Sequence, residues 1–527
     1  MNYFIPNPSR SYAQSPGTIP GGSTISHEIA QVVQEFPDRV AVIDDYGMIT
    51  YRQLWETSTI WVARLLSHGV KPGGRVAALI PNRRDFVVVS LATFRLGAAL
   101  VPLPTNYRAQ EVETILSHAE PEVVVVCGHF FSDDVFNAIQ EALGRVGSHP
   151  HLLLSSDEES LADLSIVSSL PEPEPDTLSA IIYTSGTTGV PKGVMHSHEG
   201  IVRMARASNA MRQVEGQEMW LCLIPLSHAF GLEYGLPCPL FTGGTLILTD
   251  AFDPARTLTM IAHYRVSYLV AVPTMMIRML SLLTTQTDVS TVRNVYLGAM
   301  AAPPDMMQAI SEQFGCTITT TYGASEFGHA TMTQLGDSLN TVSMTSGGPI
   351  YGGVEIRIMH GDKTAPMGEV GQIWVRGPMT FQGYFHDDVH THAARRSGGW
   401  VSVEDLGFLS AEGRLTVVGR LKDMIVRGGQ NIYPNEIEAI LQRHPAVLLS
   451  SVVAIPDAEM GERTCACIIL KQFAPQLHRS DLLSVFSQVA RYKVPDYVLA
   501  FTEFPQTSTG KVRKDHLQRL AINQLLP

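Results

Sequence analysis

Tyr183-Thr184-Ser185-Gly186-Thr187-Thr188-Gly189-Val190-Pro191-Lys192-Gly193 is the stretch on which the reading of this chain turns. It leaves a short apolar run and crowds hydroxyls, glycines and one lysine into eleven positions. Glycines let main-chain N–H groups converge on anionic oxygens, Ser and Thr hydroxyls add neutral donors, and Lys192 supplies a cation, so the loop suits a polyphosphate. A polar surface turn can share this composition. The spacing from Gly186 to Lys192 also departs from G-x-x-x-x-G-K-[ST], so this is not a Walker-type loop.

The run that feeds the loop, 180–183, is one of several short apolar segments that read as buried strands, with 40–43, 75–80, 122–127, 244–248 and 268–272. Helix-like segments lie between many of them, at 53–67 and 109–118, and 86–103 reads as a buried helix entering a strand rather than a membrane span, because it contains Arg95 and Gly97. This alternation predicts layered α/β subdomains with strands covered on both faces. Pro171-Glu172-Pro173-Glu174-Pro175-Asp176 cannot form a helix interior and predicts an exposed linker. Beyond Ser346 the texture changes to glycine-punctuated alternating strands, at 354–358 and 372–377, which predicts a β-rich subdomain. After a hinge expected near 420–423 come a helix at 436–443, strands at 452–455 and 464–470, and a helix at 479–489. These suffice for a small α+β domain, so the expected division is 1–419 and 420–527.

A length of 527 residues exceeds what a single core usually supports, and 45% hydrophobic with 17% charged residues fits a folded body. The net charge of −12 offers no general attraction for nucleic acid or anionic lipid. The six cysteines are scattered and suit a reducing compartment, with Cys465 and Cys467 on one face of an apolar strand as buried structural residues. The N-terminal 22 residues lack a basic start followed by an apolar run. A cytoplasmic location is therefore expected.

The complete Thr184–Gly193 block resembles the phosphate loop of the adenylate-forming superfamily, which comprises acyl- and aryl-CoA synthetases, nonribosomal adenylation domains and beetle luciferases. Further blocks follow in the family's order: Thr50-Tyr51-Arg52-Gln53-Leu54, Gly69-Val70-Lys71-Pro72-Gly73, Pro225-Leu226-Ser227-His228, Tyr322-Gly323-Ala324-Ser325-Glu326, Gly419-Arg420, the run from Gly428 to Glu438, and Gly510-Lys511. The resemblance covers the chain from about residue 25 onward and is nearest to the acyl-CoA synthetases.

The resemblance implies ATP, Mg²⁺ and coenzyme A as cofactors. It assigns the polyphosphate to Thr184, Ser185, Gly186, Thr187, Thr188, Gly189 and Lys192, and adenine to Tyr322 and Gly323 with the backbone of Gly298, Ala299 and Met300. Ser325 would donate to the α-phosphate, Thr184 and Glu326 would hold Mg²⁺, and Asp405 would accept from the ribose hydroxyls with Arg420 beside it. Lys422 falls at the hinge. Lys511 would bridge the substrate carboxylate and the α-phosphate, a role chemistry requires because two anions must be neutralised before attack on phosphorus. His228 would gate the passage between acyl pocket and thiol route, and Gly428 with Gly429 would line the thiol tunnel. The sequence departs from the family pattern at three places: Ser325 for Thr, Val403-Glu404 before Asp405, and Ala301 for Pro.

The expected reaction is ATP-dependent activation of a carboxylic acid to an acyl-adenylate, with release of pyrophosphate and transfer to the thiol of coenzyme A. No Gly-Gly-x-Ser-like phosphopantetheine setting follows the last block, which favours coenzyme A over a carrier domain. A separate acyl carrier protein or an amine is the alternative acceptor. No Asp occurs in Ala229-Phe230-Gly231-Leu232-Glu233-Tyr234 to hold a substrate amine, so a fatty, alicyclic or aromatic acid is expected. Gly323-Ala324-Ser325-Glu326-Phe327-Gly328 misses the G-x-S-x-G of a serine hydrolase by one residue.

Overall fold

The computed structural model describes residues 19–155, 167, 170–184, 191–298, 304–471, 473–487, 489–506 and 512–526. Among these, a nine-stranded sheet runs in the order Gly348–Pro349, Gly328–Met332, Thr317–Ala324, Asn294–Leu297, Tyr268–Ala271, Met219–Cys222, Thr245–Ile247, Val40–Asp44 and Gly47–Thr50. Its six central strands are parallel and its edges antiparallel. A second sheet of seven strands runs Gly383–Tyr384, Lys192–Ser197, Leu178–Thr184, Ala99–Pro102, Arg75–Leu79, Val123–Val126 and His151–Leu154.

The period of two in these strands sorts side chains into separate cores. Val76 and Ala78 face the core between the two sheets, with Val42, Trp220 and the inner faces of helices Ile25–Glu35, Tyr51–Ser67, Arg84–Leu96 and His198–Met211. Ala77 and Leu79 face outward onto helices Ala109–Ala119 and Asp133–Arg145. On the far side of the nine-stranded sheet, Leu221, Leu269 and Val295 pack on helices Pro254–Tyr264 and Pro304–Phe314. Five α/β layers result, as the strands buried on both faces predict. Local signals set the element ends. Thr50 and Gln53 cap the Tyr51 helix reciprocally, and the Arg84 helix stops at Gly97, whose φ of 70° a side chain would strain.

Between 355 and 420 lies the expected β-rich sheet, with antiparallel strands Glu355–His360, Gly371–Arg376, Asp405–Leu409 and Leu415–Arg420. A single 3₁₀ turn, Leu421–Asp423, leads to a fourth sheet built on the long hairpin Val447–Asp457 and Gly461–Leu470. Helices Pro434–Leu441 and Lys514–Leu525 pack on that hairpin. The chain is thus a large N-terminal body with a smaller C-terminal α+β domain. Cys465 and Cys467 share one buried face, and all six cysteines are buried and free.

One element differs from its prediction. The helix expected over 479–489 is a single turn, Arg479–Leu482. It passes into turns closed by i→i+3 bonds, among them Val485 N to Leu482 O and Val489 N to Phe486 O. Ser484 turns its hydroxyl back onto Asp481 O, the local competition that makes serine a poor helix interior. No helix among the described residues is long and apolar enough to cross a membrane.

Candidate active site

The phosphate block leaves its strand at Thr184, which pairs with Lys192 across the antiparallel hairpin of Leu178–Thr184 and Lys192–Ser197. Both ends of the loop are therefore held 1:1 in register at its mouth. Ser185, Gly186, Thr187, Thr188 and Gly189 lie outside the described residues, as do Ala299, Met300 and Lys511. Lys192 extends over the ring of Tyr384, with Nζ 5.2 Å from its centroid. Tyr384 belongs to the short strand that adds to the other side of this hairpin, with Tyr384 opposite Val194.

The same Tyr384 reaches the second block. Its hydroxyl donates to Glu326 Oε1 at 2.7 Å, and Phe381 N donates to Glu326 O at 2.8 Å. Glu326 sits on the tight hairpin between Thr317–Ala324 and Gly328–Met332, in a turn closed by Phe327 N to Ala324 O. The hairpin needs Gly323, because a Cβ there would lie 2.2 Å from Gly328 O. Burial pushes the Glu326 carboxyl above its usual range, and the Tyr384 hydrogen bond opposes that shift.

Asp405 lies on the β-rich sheet, yet its two oxygens serve different partners: Oδ2 accepts from the Tyr322 hydroxyl and Oδ1 from Arg420 Nε, each at 2.9 Å. Tyr322 and Asp405 are 8% and 5% exposed, whereas the Arg420 side chain is 46% exposed. The pairing of Asp405 with Arg420 across adjacent strands brings the two together. Val403-Glu404, the departure from the family pattern, reads structurally as a strained turn, with Glu404 at φ 63° and its carbonyl accepting from Leu421 N.

The other expected residues among the described ones sit on further strands and turns. Gly298 ends its strand against Phe230, and a Cβ there would meet the Phe230 ring at 2.7 Å, so the close approach that glycine permits is to that aromatic ring. His228 is half-buried in the turn after Met219–Cys222, its N donating to Pro225 O and its carbonyl accepting from Leu232 N. Gly428 and Gly429, at φ 54° and 81°, form the exposed tip of the Ile425–Arg427 and Gln430–Ile432 hairpin in the fourth sheet. Tyr384 escaped the sequence reading. Its only local signal is a Gly-Tyr pair between aromatic residues in Phe381-Gln382-Gly383-Tyr384-Phe385.

A buried carboxyl, an aspartate shared by a phenol and a guanidinium, and a lysine at the mouth of a hydroxyl- and glycine-rich loop form one continuous constellation. Residues 29–385 match the family model of the AMP-binding enzyme, and 436–511 match that of the AMP-binding enzyme C-terminal domain. The chain belongs to the AMP-binding enzyme family. This AMP-binding enzyme is 30% identical to the medium-chain fatty-acid–CoA ligase of Escherichia coli strain K12, over 96% of this chain and 92% of that protein. It is also 30% identical to a 3-[(3aS,4S,7aS)-7a-methyl-1,5-dioxo-octahydro-1H-inden-4-yl]propanoyl:CoA ligase of Rhodococcus jostii RHA1, over 94% and 98% of the two chains. Its fold superposes on ATP-bound MatB from Rhodopseudomonas palustris with a TM-score of 0.84, at 28% identity and coverage of 95% and 100%.

Glu326 also meets the requirement for a magnesium ligand. One of its oxygens accepts from Tyr384, and no cation lies within ion-pair distance of it among the described residues. No cluster of three or more metal-ligating side chains occurs among those residues. A hard cation that keeps phosphate and water ligands needs no more than one such carboxylate.

Proposed function

We propose that this enzyme activates a carboxylic acid with ATP, forming an acyl-adenylate and pyrophosphate, and then transfers the acyl group to the thiol of coenzyme A. The observation that carries this reading is the convergence of Tyr322, Asp405, Arg420, Glu326, Tyr384 and Lys192, from three sheets, around the mouth of the phosphate loop.

Each residue has a defined task. Asp405 accepts from the ribose hydroxyls with its lone pairs not used by Tyr322 and Arg420. Lys192 and the loop take the polyphosphate, and Ser325 donates to the α-phosphate. Thr184 and Glu326 hold Mg²⁺, which when bound offsets phosphate charge and orients the leaving pyrophosphate. Lys511 brings the substrate carboxylate and the α-phosphorus together. On this reading 1–419 binds ATP and acid, and 420–527 is a mobile lid. The Leu421–Asp423 turn between the third and fourth sheets supports a hinge there. Rotation about it exchanges Lys511 for the Gly428-Gly429 tip, so that one hinge serves both half-reactions.

The acid is expected to be aliphatic, alicyclic or aromatic and free of an amine. The coenzyme A ligases among the relatives act on acids of this kind and support the choice. A panel of carboxylic acids, read first by pyrophosphate release and then by acyl-CoA formation, tests both steps. Absence of pyrophosphate release across the panel would overturn the enzyme reading. Release without acyl-CoA would move the acceptor to a carrier-protein thiol or an amine.

A further inference from the structure

Asn82 stands outside every block the reaction uses, yet its side chain crosses from the phosphate-loop sheet to the nine-stranded sheet. It follows the strand Arg75–Leu79, precedes the Arg84 helix and is buried. Its Nδ2 donates to Ile224 O and its Oδ1 accepts from Leu226 N, each at 2.8 Å. The two partners flank Pro225. A primary amide carries a donor and an acceptor side by side, so this one side chain satisfies both main-chain groups. The sheet does not supply these bonds. Strand Met219–Cys222 pairs with Tyr268–Ala271 as far as Cys222, and Leu223 N to Val270 O, at 3.0 Å, extends the contact by one more bond. Ile224 and Leu226 lie past that point and are buried, where main-chain groups without partners are costly.

The segment that Asn82 holds is the turn that carries His228. Pro225 O, between the two clamped groups, accepts from His228 N at 3.2 Å, and His228 O accepts from Leu232 N at 2.8 Å. The turn is packed flush at this point, since a Cβ at Gly231 would lie 2.1 Å from Pro225 O and 2.8 Å from Leu226 Cα. With so little slack, a shift of the main chain on either side of Pro225 is passed to His228. The clamp also sits beyond the carboxyl ends of strands that run parallel within each of the two sheets, where open α/β sheets build their sites.

We propose that Asn82 is a positioning residue for acyl transfer: its amide clamps the main chain on both sides of Pro225 and thereby sets His228 at the passage to the thiol. The inference rests on the coenzyme A reading given above and on the gating role of His228 within it. Tyr322, Glu326, Tyr384, Lys192 and Asp405 all lie off the clamped turn, so adenylation should not depend on it.

Asn82→Ala in the full chain removes both bonds. Transfer from a supplied acyl-adenylate to coenzyme A should slow roughly tenfold to a hundredfold, the scale of a small misplacement near reacting groups, while pyrophosphate exchange stays close to wild type. In a double-mutant cycle, His228→Ala should cost far less in the Asn82→Ala background than alone, because the placement it depends on has already been lost. Equal losses in the two half-reactions, no loss of transfer, or additive effects in the cycle would overturn the proposal. If Asn82→Ala does not fold, Asn82→Asp, whose carboxylate still accepts from Leu226 N and cannot donate to Ile224 O, decides by the same split and the same cycle. Hydrogen exchange at the Leu226 amide reads the clamp apart from catalysis. It should be slow in the wild-type protein and faster in Asn82→Ala, and an unchanged rate would overturn the clamp itself. A wild-type protein that exchanges pyrophosphate and forms no acyl-CoA would remove the coenzyme A reading and with it this role for Asn82, even where the Leu226 amide shows the clamp to be made.

Discussion

The hydroxyl of Tyr384 donates to Glu326 Oε1 at 2.7 Å and so ties the edge strand of the phosphate-loop sheet to the hairpin tip of the nine-stranded sheet. Because its ring also lies under Lys192 Nζ, one side chain orients both the anion and the cation that face the polyphosphate. Tyr384→Phe keeps the ring and removes the donor. Hydrogen bonds to charged groups are worth about 1.5–3 kcal/mol, so kcat/KM for ATP should fall roughly tenfold to a hundredfold, with a higher Mg²⁺ requirement. The bond also holds the Glu326 carboxyl below where burial alone would put it. Activity needs the ionised form and is lost as pH falls through that raised value, so the acid limb of the pH–rate profile should move to higher pH in the variant. An unmoved limb would separate Glu326 from the essential ionisation.

Asp405 is predicted to hold nucleotide through geometry set by Tyr322 and Arg420. Tyr322→Phe leaves one carboxylate oxygen without its donor and should raise KM for ATP about tenfold, by the same hydrogen-bond magnitude. Asp405→Ala should be worse, since it also strands Arg420. Equilibrium binding of ATP by calorimetry checks both.

Lys511→Ala is expected to slow adenylation by roughly 10²–10³, the range for a lost transition-state donor. Transfer from a supplied acyl-adenylate to coenzyme A should be spared, because that half-reaction uses the opposite lid orientation. Wild-type pyrophosphate exchange in the variant would remove Lys511 from the mechanism.

His198 tests burial rather than chemistry. Its Nδ1 accepts from Ile25 N, its Nε2 is unpartnered, and burial pulls the ring down to about 4. The unfolded chain therefore binds a proton that the native state refuses. The stability this histidine contributes is complete above its unfolded value and falls as pH drops towards about 4. Against His198→Asn, denaturant midpoints should shift in favour of the variant on acidification, by at most ~3 kcal/mol. A difference independent of pH would contradict the neutral state.

Gly231→Ala should lower stability by about 1–3 kcal/mol, the usual range for overpacking, because the new methyl meets Pro225 O. Acyl transfer should suffer as well, since Leu232 N in that turn donates to the His228 carbonyl. Chemical denaturation and coenzyme A kinetics on the same sample measure the two effects.

Much of the architecture was legible because it is written locally. Apolar runs such as Arg75–Leu79 declare strands, their lack of polar alternation declares cover on both faces, and Gly97 marks a helix end. The phosphate loop and the Tyr322–Glu326 block were legible as contiguous motifs. The short helix at Arg479–Leu482 was misjudged because apolar spacing alone does not register serines bonding back to the main chain. Tyr384 stayed hidden because it works through a partner 58 positions away.

Sequence alone determined the layered α/β body, the order of the chemical blocks and the family to which they belong, since propensity, period and motif all act over a few neighbouring residues. Tertiary structure decided which groups share a proton or a charge: Tyr322 with Asp405 and Arg420, and Tyr384 with Glu326. Those pairings depend on strand order and on the loss of water at their contact. Period-two patterning fixes which face a side chain takes but not which side chain from another sheet will meet it there.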